Sequence, residues 1–255
     1  MHYSVNYKTT DMISIITITY NAERWLERTM RSVLAQTCKD YEYLIVDGGS
    51  KDGTVDIVKR LEPEFDGRLR WKSEPDNGLY DAMNKGLARA QGDFVWYVNA
   101  GDEIYGSETL AHIVAAAKDD TDIVYGKACI VNAEGVKVSE HHKVTPPNLQ
   151  RKHLLNGLVV SHQAIVVRKS ISKPYDTHYS ITADYNWVIE AVSASRKNAY
   201  LDEYVCNFLT EGVSAKRRKQ AWKERFLIMR KQFGLCATLW AHFLIVLKYP
   251  FSIKY

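Results

Sequence analysis

This chain is short of several things, and each shortage narrows the field. Its four cysteines, Cys38, Cys129, Cys206 and Cys236, lie far apart with no C-x-x-C pair. That spacing argues against a zinc site or a disulfide framework and suits a reducing compartment. No apolar run reaches the roughly 18–20 residues that a membrane-spanning helix needs, and residues 1–11 (MHYSVNYKTTD) lack the apolar core of a secretory signal. Repeats and low-complexity segments are absent, as is the Lys-Ser/Thr signature of a P-loop. These absences predict a cytoplasmic protein whose only membrane contact is peripheral, on the inner face of the cell membrane.

What remains is an ordinary globular composition, 46% hydrophobic and 25% charged over 255 residues, enough for one substantial core. The net charge of +4 is unevenly placed. From Val213 to Tyr255 there are ten basic residues and one acidic residue, so a tail of +9 follows a body of −5. Such a tail predicts an anionic partner, a membrane or a nucleic acid.

A β-branched run, Ile13 to Thr19, stops at Tyr20-Asn21 and gives way to a helical pattern with Leu26, Met30, Val33 and Leu34 on one face. A second apolar run, Tyr43 to Val46, ends in Asp47-Gly48-Gly49-Ser50-Lys51-Asp52-Gly53-Thr54. Strand, helix, strand and polar loop make one βαβ unit. Further alternation follows: helix 54–61, capped by Asp52 or Thr54; strand 69–72; helix 80–89; strand 94–98; helix 107–118; strand 123–125. This predicts an α/β fold with a mostly parallel sheet flanked by helices. Beyond it, 128–131 and 137–140 read as a hairpin, 164–167 as a strand and 183–195 as a helix. A basic helix, 216–231, and an apolar stretch, 235–247, close the chain as a C-terminal helical extension.

Ligands of open α/β sheets bind at the carboxyl ends of the strands, where the polar motifs fall. Asp47 and Asp52 suit neutral donors such as ribose hydroxyls and a ring N–H of a base, and would repel phosphate. The segment SEPDNGLYDAMNKG, 73–86, gathers Asp76, Asp81, Asn84 and Lys85, with Lys85 a point charge for a diphosphate. Asn99-Ala100-Gly101-Asp102 ends the strong strand Phe94–Val98. Later come Ser161-His162-Gln163 and Thr182-Ala183-Asp184-Tyr185, the second opening a helix.

Taken together, 14–54, 73–86 and 99–102 resemble family 2 glycosyltransferases of the GT-A, Rossmann-like fold, and the 73–86 wording is similar to their colanic-acid and exopolysaccharide biosynthesis members. The resemblance covers about residues 12–210. It implies a catalytic domain over 1–212, with a nucleotide-sugar half (12–106) and an acceptor half (107–212), followed by the 213–255 extension. It implies an inverting hexosyl-type transferase that takes a UDP-sugar, or a GDP-sugar, to a lipid-linked or polysaccharide acceptor.

By the same resemblance the donor site comprises Thr19, Tyr20, Asn21, Asp47, Gly49, Ser50, Asp52, Gly78, Asp81, Asn84, Lys85, Asn99 and Gly101, and Asp184 is the base. Asp102 and His162 are expected to hold a divalent metal, Mn²⁺ or Mg²⁺. The family's acidic Asp-x-Asp motif is depleted here to Asn99-Ala100-Gly101-Asp102. One carboxylate can still serve a cation that keeps waters and phosphate oxygens as ligands. Glu103 is expected to point away, and His162 reads equally as a metal or phosphate contact or as a structural histidine. Arg217 or Arg218 is a candidate cover for the diphosphate.

Two other classes remain. A nucleotidyltransferase would open with a basic Gly-rich loop after the first strand, which Tyr20-Asn21-Ala22-Glu23 is not. A non-catalytic sugar- or nucleic-acid-binding protein would account for the depleted acidic motif and the basic tail, but no stacking aromatics on a basic sheet face are recognisable, so no nucleic acid is expected. The tail, 216–251, reads either as an interfacial membrane contact or as a helix pair packed on the catalytic domain.

Overall fold

The computed structural model describes residues 12–118, 120–140, 144–209 and 217–248. Residues 1–11, the boundary expected at 212/213, Lys216 and the stretch beyond Lys248 lie outside the described residues.

The first half alternates as the sequence pattern demands: β1 (Ile13–Thr19), α1 (Glu23–Leu34), β2 (Tyr41–Asp47), α2 (Thr54–Leu61), β3 (Leu69–Ser73), α3 (Leu79–Arg89) and β4 (Phe94–Tyr97). β1 and β2 are buried along their whole length, because helices cover both faces of a parallel sheet. Successive side chains point to opposite faces. Ile13, Ile15, Tyr43, Ile45, Phe94 and Trp96 therefore join α1, α2 and a later helix in one core. Ile16, Ile18, Leu44, Val46, Val95 and Tyr97 join α3 and the C-terminal helices in the other. α3 comes very close to the sheet at Gly86, where a Cβ would lie 2.6 Å from Ile16 Cγ2.

The second half runs β5 (Glu103–Ile104), α4 (Thr109–Ala116), β6 (Ile123–Val131), β7 (Lys137–Glu140), β8 (Ile165–Arg168), α5 (Ala183–Ala194), β9 (Asn198–Leu209), α6 (Arg218–Phe233) and α7 (Leu235–Lys248). The sheet order is β3-β2-β1-β4-β8-β6-β9-β5, with β7 beside β6. Pairings among β1 to β4 are parallel. Beyond β4 the sheet is mixed: β4–β8, β6–β8, β6–β7 and β5–β9 are antiparallel, and β6–β9 is parallel. The mostly parallel sheet expected is thus parallel through the first half and mixed in the second, where β6–β9 is the parallel pair.

Three elements differ from the sequence pattern, the short β5 being one that it did not show. β6 is one strand of 9 residues, not two pieces; Gly126 sits at a register shift against β9 and bends the strand without ending it. β9, with 12 residues, is a full strand that the pattern did not show. The C-terminal pair packs inward through Ile228, Met229, Thr238 and Ala241, all buried.

Candidate active site

The strand order reverses beside β1, with β2 on one side and β4 on the other, and this is where a doubly wound sheet opens a crevice at its carboxyl ends. The loops after β1 and β2 are fastened to each other there. Asn21 adopts φ +47, a left-handed conformation that asparagine tolerates better than most residues. Its amide N–H donates to Ser50 Oγ at 2.8 Å, and its Oδ1 accepts from the Lys51 amide at 2.8 Å. Ala22 N–H donates to Thr54 Oγ1, and Glu23 N–H to Asp52 Oδ2. Asp52 also accepts from the Thr54 amide at 3.1 Å. Its carboxylate therefore anchors the starts of both α1 and α2, although the cap residue of α2 is Gly53, between the two candidates the sequence offered.

Asp47 is fully buried. Its Oδ2 accepts from the amides of Gly49 (3.1 Å) and Ser50 (3.0 Å) and from Ser73 Oγ (2.6 Å), and its Oδ1 accepts from Ser50 Oγ. All of its acceptor capacity is spent inside the loop, so Asp47 shapes the rim of the crevice from within. Gly49 has φ +83, a conformation costly for any residue with a Cβ. Gly48, which the sequence reading did not single out, has a different constraint. A Cβ there would lie 2.3 Å from Asp76 Oδ2 and 3.2 Å from Tyr20 Cδ2. Tyr20, 63% exposed, and Asp76 thus flank a bare stretch of backbone.

In the 73–86 segment, Asp81 accepts from the Asn77 amide and pairs with Lys85 at 3.1 Å. Lys85 also donates to the Pro75 carbonyl at 2.8 Å. Asn84 spends both ends of its amide on the backbone of Tyr175, donating to O at 2.9 Å and accepting from N–H at 2.7 Å. It sews the two halves of the chain together. Gly78, φ +107, opens α3.

After β4, Gly101 has φ +107. Thr29 on α1 holds the turn, its Oγ1 accepting from the Gly101 amide and donating to the Asp102 carbonyl. Asp102 is buried, with Oδ2 accepting from Gln163 Nε2 at 3.0 Å and Oδ1 from the Leu209 amide at 3.1 Å. Desolvation pushes its carboxyl up to about 7. Glu103 turns to Arg28, away from the crevice as expected. The side chain that reaches Asp102 is thus Gln163. The neighbouring His162 is buried, its ring 5.7 Å from that of Tyr97 and 6.3 Å from those of Tyr175 and Trp187. Burial lowers its pKa to about 4 and keeps it neutral.

Four buried polar atoms in this region have no hydrogen-bond partner among the described residues: Thr19 Oγ1, Asn99 Oδ1, His162 Nε2 and the Tyr175 hydroxyl. Buried polar atoms are normally satisfied, and two of these sit at adjacent strand ends. For a divalent cation the fit is partial. No group of three His, Cys, Asp or Glu side chains comes together among the described residues. Asp102 supplies one carboxylate, and Asn99 Oδ1 is a free acceptor three residues away. Such a set fits a cation that draws its remaining ligands from water and phosphate, and does not fit one held by the protein alone.

Asp184 stands at the second position of α5, partly buried. Its Oδ1 accepts from the Tyr185 amide at 2.9 Å and faces the Tyr80 hydroxyl at 3.2 Å. Desolvation raises its pKa to about 6, near where a general base works best. Tyr80, at the start of α3, stacks on Tyr175 at 5.5 Å, and Tyr175 stacks on Trp187 at 5.2 Å. A packed chain of rings therefore leads from Asp184 to His162, and Gln163 completes it at Asp102.

This is the architecture of the GT-A fold. The glycosyl transferase family 2 pattern matches residues 14–175, and the chain belongs to that family; it is a glycosyltransferase. An uncharacterized glycosyltransferase of Mycobacterium tuberculosis (strain H37Rv) is 32% identical over 217 residues, which is 82% of this chain and 79% of that protein. A PGL/p-HBAD biosynthesis glycosyltransferase of Mycobacterium bovis is 34% identical over 187 residues, 71% and 70% of the two chains. The fold is shared with S. aureus TarS (TM-score 0.70, 19% identity, 95% of this chain and 75% of that one), which has also been crystallised with UDP and with UDP-GlcNAc. It is shared too with a mannosyltransferase of Pyrobaculum calidifontis in complex with GDP-Man and Mn²⁺ (TM-score 0.67, 18% identity, 92% and 70%).

Proposed function

We propose that the protein is an inverting glycosyltransferase that moves a sugar from a nucleoside diphosphate sugar to a lipid-linked or polysaccharide acceptor for the cell surface. A UDP-sugar is favoured and a GDP-sugar is the other candidate. The observation that carries this reading is Asp184: a carboxylate at a helix start, raised to about 6, joined by a packed chain of rings to the strand-end crevice.

In the proposed reaction Asp184 takes the proton of the acceptor hydroxyl while that oxygen attacks the anomeric carbon. The bond from that carbon to the diphosphate breaks, and the nucleoside diphosphate leaves. Tyr20 and the bare backbone at Gly48 receive the base and ribose. Asp47, Ser50 and Asn21 hold the loop that forms this pocket, Asn99 and Gly101 line its floor, and Asp81 with Lys85 borders the sugar and diphosphate. Asp102, with Asn99 Oδ1, would hold the divalent cation, which when bound withdraws charge from the leaving diphosphate.

Peripheral membrane contact through the C-terminal pair is part of the same reading. No helix among the described residues is long and apolar enough to cross a membrane. On α7, however, Leu235, Leu239, Trp240, Phe243 and Leu247 are all exposed, and no charged residue interrupts 235–247. On α6, Lys219, Lys223 and Arg230 are exposed, while the one acid of that helix, Glu224, is buried. An apolar face beside basic side chains fits an anionic bilayer.

Incubating the protein with a panel of UDP- and GDP-sugars, with and without Mn²⁺, tests the central reading. Release of nucleoside diphosphate from at least one donor is expected; no binding and no hydrolysis across the panel would overturn it.

A further inference from the structure

Helix N-termini leave backbone amides without intrahelical partners, and a side chain at the cap residue usually serves them. α5 departs from this. Its cap residue, Thr182, makes no side-chain bond to its own helix. The carboxylate that gathers the donors at this end comes instead from α6, more than 40 residues later in the chain. Glu224 Oε2 accepts from the amides of Ile181 (2.9 Å) and Thr182 (3.1 Å) and from Thr182 Oγ1 (3.2 Å). Its Oε1 accepts from the amide and hydroxyl of Ser180, both at 3.1 Å, and from Gln220 Nε2 at 3.0 Å. Six donors on a single buried carboxylate is far more than packing α6 requires. A charged acceptor also gains at the positive end of a helix.

The loop held in this way, 180–182, ends two residues before Asp184, and the Ile181 carbonyl accepts the Tyr80 hydroxyl at 2.8 Å. Glu224 therefore fixes both the turn that launches Asp184 and the phenol beside it. We propose that Glu224 is a positioning residue for glycosyl transfer, through which the C-terminal helix pair sets the place of Asp184; this rests on the reading of Asp184 as the base.

The charge of Glu224 also bears on Asp184. The groups facing Asp184 are Tyr80 from α3, Tyr175 from the preceding segment, Tyr185 on its own helix, and Glu224 from α6. Arg225 lies beyond, its guanidinium 5.9 Å from the Tyr185 ring. The Glu224 charge raises the Asp184 pKa. Removing that charge lowers it, whereas loosening the turn weakens the Tyr80 and Tyr185 bonds that favour the carboxylate and so acts in the opposite direction.

The test is a carboxyl ¹³C NMR titration of Asp184 in the full chain and in Glu224→Gln, with amide hydrogen exchange at 182–186. Neither readout depends on turnover. The expected result is a displaced Asp184 midpoint, exchange faster by tenfold or more and, where a donor is known, kcat down at least tenfold with donor KM within twofold. An unchanged midpoint and unchanged exchange would overturn the proposal, as would equal losses of kcat and donor affinity. If Glu224→Gln does not fold, Thr182→Val keeps the charge and removes one bond to it. Faster exchange confined to 182–186 is then expected, and wild-type exchange would overturn the proposal. If every donor fails while Glu224→Gln still moves the midpoint, the functional reading falls and the coupling of Glu224 to Asp184 stands.

Discussion

Tyr80 places one hydroxyl proton between two acceptors, the Ile181 carbonyl at 2.8 Å and Asp184 Oδ1 at 3.2 Å. The phenol belongs to the helix that follows the nucleotide-side loops, and the carboxylate belongs to a helix of the second half. This contact joins the two halves at the base itself, beside the Asn84–Tyr175 bonds.

Asp184→Asn keeps the shape and removes the basicity. Transfer is expected to fall roughly 100-fold or more while donor affinity, measured by calorimetry, stays within about twofold. With a folded pKa of about 6, Asp184 is deprotonated above that pH, so kcat should rise through an acid limb near pH 6. Tyr80→Phe removes a hydrogen bond that favours the carboxylate, which raises the Asp184 pKa and moves the limb to higher pH. A limb that stays put in Tyr80→Phe would show that another group titrates.

Asp47→Ala should lower nucleotide affinity indirectly, by about 1–3 kcal/mol, because the loop that forms the pocket loses the charged acceptor that holds it. It should lower the thermal midpoint as well, because four donors in 49–50 and 73 lose their common acceptor. Calorimetry with UDP and GDP and a thermal melt measure the two effects. Loss of affinity with an unchanged melt would instead place Asp47 in direct contact with the nucleotide.

The donor set at Asp102 predicts conditional metal binding. Mn²⁺ should bind weakly to the protein alone and markedly more tightly when a nucleoside diphosphate is present, with Asp102→Ala abolishing that gain. Tight Mn²⁺ binding without nucleotide, unaffected by Asp102→Ala, would contradict the assignment.

For the outer face of α7, a Trp240→Ser/Phe243→Ser pair should reduce sedimentation with anionic phosphatidylglycerol vesicles by roughly tenfold or more, each buried aromatic contributing on the order of 1.5–3 kcal/mol. Neutral vesicles should bind more weakly than anionic ones. Equal sedimentation of the variant and the unaltered protein would leave that face without a lipid role.

The first half of the fold was legible because its strands are continuous β-branched runs and its helices carry clean apolar stripes; β1, β2, α2 and α3 fall within two residues of their sequence-read bounds. β9 was not, because NAYLDEYVCNFL is only half-buried and its Asp202 and Glu203 break any alternation. The cleft's polar loops were visible from strand ends alone. What each side chain does there was not, since Asn84, Asp47 and Asp52 turn out to bind backbone in the same structure that makes them look like ligand residues. Gln163 lay in a motif the sequence marked, but its role and that of Glu224 were hidden for a simpler reason. Each acts on a partner more than 40 residues away, which local sequence does not reveal.

The turn at Gly101 also limits how this enzyme can change. A side chain there would need the left-handed backbone at φ +107 and would bring its Cβ to 3.0 Å from Leu209 Cδ2. Leu209 is the residue whose amide holds Asp102. A single step to Gly101→Asp therefore strains the backbone and pushes on the strand that positions the remaining carboxylate. Engineering a richer acidic motif into this scaffold requires β9 to be rebuilt together with the turn, so the two segments form one unit of inheritance.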